Sequence, residues 1–276
     1  MEQVTRTIYG SALQTAMLLG LPHVAPEFST LNKRFGVQAD AVLADTEYTR
    51  MTLMCYGNGG HKLVTGADSV PYTKIQQHEP QDAAPFKPLP WVLRPTSSDL
   101  TPQERAKYAM RTVVTYNAET YFAYYLKRLN LAGVTVRMQK RNVQDGNTTS
   151  VDFVPTADNL VPTPNELANS GANALLADYL TVSALLSVTL TEADCEEILN
   201  VSRIIYGDDN YAIISEIGLT AGADKVIGLN DNSNFRESVV SQVVSFIGAF
   251  HQVKYTSSGI TGLFDVGTNE PLFTQG

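Results

Sequence analysis

Apolar and polar side chains alternate along residues 110–154, which is the period-two pattern of half-buried β-strands. The alternation predicts consecutive strands over 110–116, 121–129, 134–139 and 150–154. Residues 117–120 and the pair Asp145-Gly146 supply turn chemistry between neighbouring runs. The pattern therefore predicts an antiparallel β meander of about four strands.

Helices are predicted on both sides of this meander, from apolar residues spaced three or four apart and from capping residues. They cover residues 5–20, 38–50 and 234–250, and stretches that follow the capping boxes at Thr101, Thr163 and Thr191. Over 234–250 the helical spacing is carried by Phe235, Val239, Val243, Ile247 and Phe250. Short strands are predicted over 211–215 and 251–255. The predicted fold class is α+β, with helices packed on the meander.

Residues 57–102 hold seven of the 13 prolines and begin with a glycine-rich turn. Proline fixes φ and lacks an amide N–H, so the stretch is predicted to be a long extended arm, neither helix nor central strand. The arm carries four large apolar residues, Tyr72, Phe86, Trp91 and Leu93. It either wraps over its own domain or docks on an adjacent subunit.

These patterns divide the chain into five segments. They are an N-terminal helical segment (1–56), the Pro-rich arm (57–102), the meander (103–155), an α/β region (156–255) and an extended C-terminal tail (256–276). The tail is rich in Gly, Ser and Thr, yet it includes Phe264 and Phe273. Because a flexible tail rarely holds such residues, we expect the tail to lie on a surface.

Charge is unevenly distributed along the chain. Residues 105–141 carry eight cations and one acid, a net charge of +7, whereas residues 142–232 carry fourteen acids and two cations, a net charge of −12. The whole chain has a net charge of −8. A protein with one basic and one acidic face can bind a copy of itself, an acidic partner or nucleic acid.

The basic stretch is the main candidate site. Its cations are Arg105, Lys107, Arg111, Lys127, Arg128, Arg137, Lys140 and Arg141, and five tyrosines lie among them. Three interpretations stay open: a solvated sheet face, docking to an acidic patch of another copy, and stacking of tyrosines on nucleic-acid bases. We add Trp91, Phe264 and Phe273 as predicted partner-binding residues.

Tyr206-Gly207-Asp208-Asp209 is the most conspicuous motif, because template-dependent RNA polymerases place metal-binding aspartates in such a run. The spacing to upstream acids and the chain length do not fit a polymerase. The motif is predicted to be a turn in which Gly207 takes an unusual φ and the two aspartates bind local backbone. We expect no catalytic residue, no metal ion and no cofactor.

Cysteine and hydropathy patterns narrow the class of protein further. Cys55 and Cys195 do not form a disulfide framework and are predicted to be buried thiols in a reducing compartment. The four histidines, His23, His61, His78 and His251, are predicted to be satisfied surface or core groups. No signal peptide is recognisable and no apolar run is long enough to span a membrane, so no membrane partner is expected.

The runs Tyr72–Lys74, Leu89–Arg94 and Leu100–Arg105, within a block from His61 to Tyr116, resemble structural proteins of large contractile-tailed bacteriophages. The run from Leu199 to Tyr211 is similar to those proteins as well. The resemblance implies a virion subunit of the neck, tail or baseplate, made in the host cytoplasm. Such subunits are built into rings with arms that clasp neighbours.

The sequence thus predicts a non-enzymatic virion subunit that assembles into a ring. Its partners would be copies of itself and other virion proteins, joined through oppositely charged faces. The alternative is a nucleic-acid-binding module that uses the basic, tyrosine-rich sheet.

Overall fold

A computed structural model describes residues 3–19, 21–26, 28–44, 47–144, 147–158, 175–255 and 259–273. These residues form fourteen strands, four α-helices and one 3-10 turn at Asp209–Tyr211. The helices are α1 (Ile8–Leu19), α2 (Leu31–Phe35), α3 (Pro102–Arg105) and α4 (Glu192–Tyr206). The strands are β1 (Gln3–Arg6), β2 (Arg50–Gly57), β3 (His61–Thr65), β4 (Pro71–Ile75), β5 (Pro88–Leu89), β6 (Val92–Pro95), β7 (Tyr108–Tyr116), β8 (Glu119–Arg128), β9 (Val136–Gln144), β10 (Asn147–Asp152), β11 (Leu175–Leu190), β12 (Ile213–Gly228), β13 (Asn234–Gln252) and β14 (Ile260–Phe273).

The fold is mostly β, and the predicted α+β class with packed helices is wrong. The largest error is over 234–250, which forms the long strand β13 and not a helix. A spacing of four fits one face of a helix, but it also fits one face of a regular strand. In β13 the bulges turn Val243, the partner of Thr220, to the face opposite Phe235, Val239 and Ile247. No helix forms over 38–44 or 47–50. The predicted helix after Thr163 lies outside the described residues.

The predictions of an unpaired extended arm and an unpaired extended tail also need correction, because both segments contain paired strands. Residues 57–102 contain β3, β4, β5 and β6, and the tail contains the strand β14. The prolines do not prevent these strands, because Pro71 and Pro88 are first residues and Pro95 is a last residue of a strand. At such positions no amide N–H is required by the ladder.

Two compact units divide the chain, unit 1 (Met1–Asn130 with Leu190–Ile260) and unit 2 (Leu131–Thr189 with Thr261–Gly276). Each unit combines two separate stretches of sequence. Their boundaries therefore do not coincide with the five predicted segments, 1–56, 57–102, 103–155, 156–255 and 256–276.

Unit 1 contains an eight-stranded sheet in the order β1-β13-β12-β2-β8-β6, in which β5 also pairs with β2 and β7 with β8. The pairings are antiparallel. The predicted hairpin of β7 and β8 is confirmed, and both turn residues, Asn117 and Ala118, have positive φ, 50° and 66°. This geometry matches the right-handed twist of the flanking strands. The other predicted hairpin, β9 with β10, belongs to unit 2, so the four strands are not one meander.

The core of unit 1 gathers side chains from the central strands and from α2 and α4. Its members include Leu31, Leu53, Leu93, Met110, Leu126, Val201 and Phe246. The predicted helix after Thr191 is confirmed as α4, whose capping box joins Thr191 with Asp194. The helix buries Ile198 and Leu199.

Asn32 of α2 supports an irregularity in β13. Two residues of β13, Val240 and Ser241, stand opposite the single residue Gly222 of β12, which is the pattern of a β-bulge. Val240 has a φ of 52°. The Asn32 side chain accepts a hydrogen bond from Ser241 N (2.7 Å) and donates one to Ser238 O (2.8 Å). The buried amide thus satisfies backbone groups that the bulge leaves without a ladder partner.

β3 and β4 form a separate two-stranded antiparallel hairpin. Unit 2 contains a four-stranded sheet in the order β10-β9-β11-β14. In the part of unit 2 that the structure describes, this sheet is accompanied by no helix.

Candidate functional site

The Tyr206–Asp209 motif is a turn, as predicted. Gly207 ends α4 in the left-handed region, with φ 72°. Asp208 Oδ1 accepts a hydrogen bond from Asn210 N at 2.8 Å, and Asp209 Oδ1 pairs with Arg203 Nε at 2.5 Å. Among the described residues, no three His, Cys, Asp or Glu side chains lie together as a metal would require. Both carboxylates are thus occupied by nearby groups of their own turn and helix.

Arg105 and Arg111, two of the predicted partner-binding cations, converge on a carboxylate inside unit 1. Asp99 accepts hydrogen bonds from Arg105 Nη1 (3.1 Å), Arg111 Nη2 (2.7 Å) and the Tyr124 hydroxyl (2.6 Å). Arg105 is 3 % exposed and also pairs with Asp231 at 2.5 Å. Burial opposes ionisation of Asp99, but the hydrogen bonds from Tyr124 and Arg111 hold its pKa below the ordinary value. Arg105 is therefore a core group and is not accessible to a partner.

Two further cations pair with acids distant in sequence. Lys127 of β8 forms an ion pair with Asp194 of α4, and Arg128 pairs with Asp224 of β12 at 2.9 Å. Burial opposes ionisation of Asp194, yet its hydrogen bond with Lys127 keeps its pKa below the ordinary value. The basic and acidic stretches thus neutralise each other, in part, within one copy of unit 1.

The remaining cations lie on surfaces. Lys107 of unit 1 and Arg137 and Lys140 of unit 2 are exposed. Arg141 pairs with Asp265 of β14 at 2.8 Å, within unit 2. Since Arg105 is buried and Arg111, Lys127, Arg128 and Arg141 are paired with acids of their own unit, these five of the eight predicted cations are not free to form an exposed basic face.

The tyrosines of the basic stretch are largely interior. Tyr108, Tyr121, Tyr124 and Tyr125 are 0–7 % exposed, and only Tyr116 is half-buried. Base stacking needs an accessible ring face. The arrangement therefore offers no aromatic platform from these four residues for nucleic acid.

The predicted aromatic anchors have different positions. Trp91 is 2 % exposed, lies 4.4 Å from the Tyr56 ring and donates from Nε1 to Met54 O at 3.3 Å. It is a core residue of unit 1. Phe264 is half-buried on β14, and the side chain of Phe273 lies outside the described residues.

Sequence reasoning missed a buried polar centre around His78. Its Nε2 lies 2.9 Å from Glu216 Oε2 and its Nδ1 lies 2.8 Å from Asp82 Oδ2. The ring is stacked between Phe86 (3.9 Å) and Phe246 (3.8 Å). Both nitrogens can donate only when the ring carries two protons. The imidazole and the two carboxylates form a compact buried polar cluster.

Glu216 extends this centre to the backbone of residues 59–87. Its carboxylate is 0 % exposed and accepts hydrogen bonds from Gly59 N (2.8 Å), Phe86 N (2.7 Å) and Lys87 N (3.2 Å). Since all these partners are donors, the ionised carboxylate satisfies them best. The cluster fastens residues 59–87, part of the predicted arm, to β12 of the same chain, which is the first of the two alternatives for that arm. No spacing rule links His78 with Glu216, 138 residues apart, so the sequence carried no signal for it.

The two cysteines lie in the interior, as predicted. Burial raises the pKa of the Cys55 thiol to about 12. A thiol in this state is a poor nucleophile, so Cys55 is a packing residue.

The sheet of unit 2 has an exposed apolar face. Met138 of β9 stands opposite Val182 of β11, and Val136 and Val151 lie on the same face of their strands. Their exposed fractions are 71 % for Val136, 48 % for Met138, 69 % for Val151 and 38 % for Val182. Lys140 lies on the same face, as the direct partner of Val151 and of Leu180, so one cation stands among the apolar side chains. Exposed apolar residues on one sheet face normally pack against a second layer. We call these four residues the apolar face of unit 2.

None of the helices that the structure describes is both long and apolar enough to cross a bilayer.

Comparison with known proteins gives one match. No curated protein and no solved structure is significantly similar to the chain. The match covers residues 1–276, the whole chain, and is to a family described as a family of unknown function, DUF7208. The chain therefore belongs to the DUF7208 family.

Proposed function

We propose that this protein is a non-enzymatic structural subunit that assembles with copies of itself. The observation that carries the proposal is the apolar face of unit 2, defined by Val136, Met138, Val151 and Val182. Soluble monomers rarely leave contiguous apolar patches in water, and such patches mark interaction sites. A second copy supplies the missing layer, since one apolar sheet face complements another.

The proposed contact is apolar, whereas the sequence predicted assembly through oppositely charged faces. Oppositely charged faces no longer motivate it, because Arg105, Lys127 and Arg128 bind acids of their own chain. Apolar burial contributes about 25 cal/mol per Å² and does not depend on salt in the way that ion pairs do. The contact between apolar faces is therefore expected to persist at high ionic strength.

The particle that we propose is a virion, and the place of synthesis is the host cytoplasm. Support for this part comes from the resemblance of residues 61–116 to structural proteins of contractile-tailed bacteriophages. A ring in the neck, tail or baseplate fits that resemblance, with other virion proteins as further partners.

Sedimentation velocity over a concentration series tests the proposal. We expect the wild-type chain to associate and Val136→Asp to shift the equilibrium towards monomer, because Val136 stands opposite Ala184 and a carboxylate is costly to bury in an apolar interface. Val226→Asp is the matched control, since Val226 is 60 % exposed on β12 of unit 1. A wild-type chain that stays monomeric at its highest soluble concentration, or two variants that behave alike, would contradict the proposal.

A further inference from the structure

The hairpin of β3 and β4 carries an unfavourable pair of charges. Lys62 and Lys74 are direct cross-strand partners, and both are exposed. Like charges at directly opposite positions destabilise a hairpin. No carboxylate is present in either strand to compensate them. An anionic group from elsewhere would relieve this repulsion.

Among the described residues the hairpin has no further strand partner, and two of its large apolar side chains are exposed. β3 and β4 pair only with each other among the described strands, so both outer edges have unpaired backbone groups. Leu63 is 72 % exposed and Tyr72 is 53 % exposed. A two-stranded hairpin alone is marginally stable in water.

The base of the hairpin is fixed, so it projects from a defined position. Gly60 N donates to Ser215 Oγ of β12 at 3.0 Å, and the His61 ring meets Phe250 of β13 edge-on at 5.0 Å. At the tip, Gly66 N donates to Val70 O at 2.9 Å. The hairpin is thus an anchored projection whose edges and apolar side chains are available.

Unit 2 contains an edge strand, β14, whose charge is opposite to that of the two lysines of the hairpin. β14 is the last strand of its sheet, and its outer edge is unpaired within the described residues. It contains the acids Asp265 and Glu270 and no cation. Asp265 forms an ion pair with Arg141 of the same unit, whereas Glu270 is exposed. Proline at 271 is compatible with an edge position.

We propose that the β3–β4 hairpin of one copy pairs edge-to-edge with β14 of the next copy. The two lysines then face a strand of opposite charge, and main-chain hydrogen bonds continue one sheet into the other. The contact is heterologous, so repeated copies form a closed ring or an open chain. This inference rests on the proposed function, because it names one interface of the same assembly.

Charge reversal at Lys62 gives a sharp test. In Lys62→Glu the new carboxylate faces Lys74, which stabilises the hairpin itself. A weaker assembly can therefore not be assigned to an unfolded hairpin. We expect the dissociation constant for assembly to rise on the order of tenfold, with thermal stability unchanged or higher. Lys107→Glu, an equal change of charge at another exposed site of unit 1, should leave assembly unchanged.

A swapped pair tests the partner strand. Glu270→Lys alone should weaken assembly, and Lys74→Glu combined with Glu270→Lys should restore it, since each interface then holds the reversed pair. Assembly that is intact in Lys62→Glu and in Glu270→Lys overturns this inference and leaves the proposed function standing. A monomeric wild-type chain overturns both. If Lys62→Glu instead lowers affinity for a single-stranded oligothymidine and leaves assembly unchanged, the lysine pair serves nucleic acid and the inference fails.

Discussion

His78 Nε2 and Glu216 Oε2 lie 2.9 Å apart in the interior of unit 1, with the side chains 2 % and 0 % exposed. The contact links a loop before β5 to the central strand β12. Because the carboxylate also accepts three backbone N–H groups, the cluster determines the path of residues 59–87. A buried charge of this kind is strongly destabilising when one partner is removed.

Glu216→Gln is accordingly expected to lower the free energy of unfolding by about 3 kcal/mol. The amide is nearly isosteric but has one acceptor oxygen fewer and turns an NH₂ group towards the backbone N–H donors of residues 59, 86 and 87. Urea unfolding followed by fluorescence measures the change. Glu196 is an exposed carboxylate on α4, so Glu196→Gln should change the free energy of unfolding by about 0.5 kcal/mol at most. Equal stability of Glu216→Gln and wild type would refute a structural role for this cluster.

Gly207→Ala is predicted to destabilise unit 1 by about 1 kcal/mol, because a φ of 72° is unfavourable for a residue with a Cβ. No neighbouring atom lies within 4 Å of the position that the Cβ would take, so the cost is conformational alone. Gly228→Ala is the matched control, with equal space and no positive φ. Thermal unfolding of the two variants should separate them. Equal melting temperatures would show that the turn does not constrain position 207.

Arg128→Glu should lower stability by about 1 kcal/mol, since it places a carboxylate beside Asp224. Asp224→Arg in the same chain should recover part of that loss. A double-mutant cycle in urea measures the coupling. If Arg128→Glu abolishes assembly but leaves stability unchanged, Arg128 instead contacts an acidic patch of another copy, as the charge pattern of the sequence predicts.

The pH dependence of stability should carry a contribution from Asp99. Its folded-state pKa lies below the ordinary value of 3.8, so the carboxylate binds fewer protons in the folded than in the unfolded chain. The contribution is present above pH 3.8 and is lost as the pH falls through the folded-state value. Asp99→Asn should therefore show a shallower loss of stability on acidification, measured by urea unfolding from neutral to acidic pH.

The contribution of Glu237 to the pH dependence of stability has the opposite sign. Burial raises its pKa above the ordinary value of 4.5, so this group binds more protons in the folded chain. Its contribution favours the folded state at low pH and declines as the pH rises through the raised value. Glu237→Gln should therefore gain stability relative to wild type as the pH rises from 4 towards neutrality. The same direction for both variants would contradict this assignment.

Local chemistry allowed some elements to be predicted from the sequence. The alternation over β7 and β8, the turn at Asn117 and Ala118, and the capping box at Thr191 are encoded within a few residues, and each appears as expected. The same holds for Gly207, which needs only its own φ.

Errors arose where a pattern has two structural solutions. The spacing of four in Phe235, Val239 and Val243 fits both a helix and a regular strand. Residues 234–252 form a strand because they pair with β12 from Gly228 back to Ile213. The prolines of residues 57–102 exclude a helix and a central strand, but they do not exclude the short strands that begin at Pro71 and Pro88 or end at Pro95.

The candidate site was predictable only in part. Charge segregation was correctly observed, but whether Lys127 meets an acid of its own chain or of another depends on tertiary contacts such as Lys127 with Asp194. The apolar face was hidden because Val136, Met138 and Val151 alternate with polar residues as any half-buried strand does. Nothing local indicates that such a face stays uncovered.

The order in which the ribosome makes the chain has a consequence for unit 1. When residue 130 has emerged, β2 still lacks its neighbour β12, and Arg105, Lys127 and Arg128 still lack Asp231, Asp194 and Asp224. The nascent half therefore exposes the β2 edge until β12 is complete at Gly228, and Lys127 and Arg128 lack their acids until Asp194 and Asp224 are synthesised. Chaperone demand during translation should be highest across that interval and should fall once β12 pairs with β2.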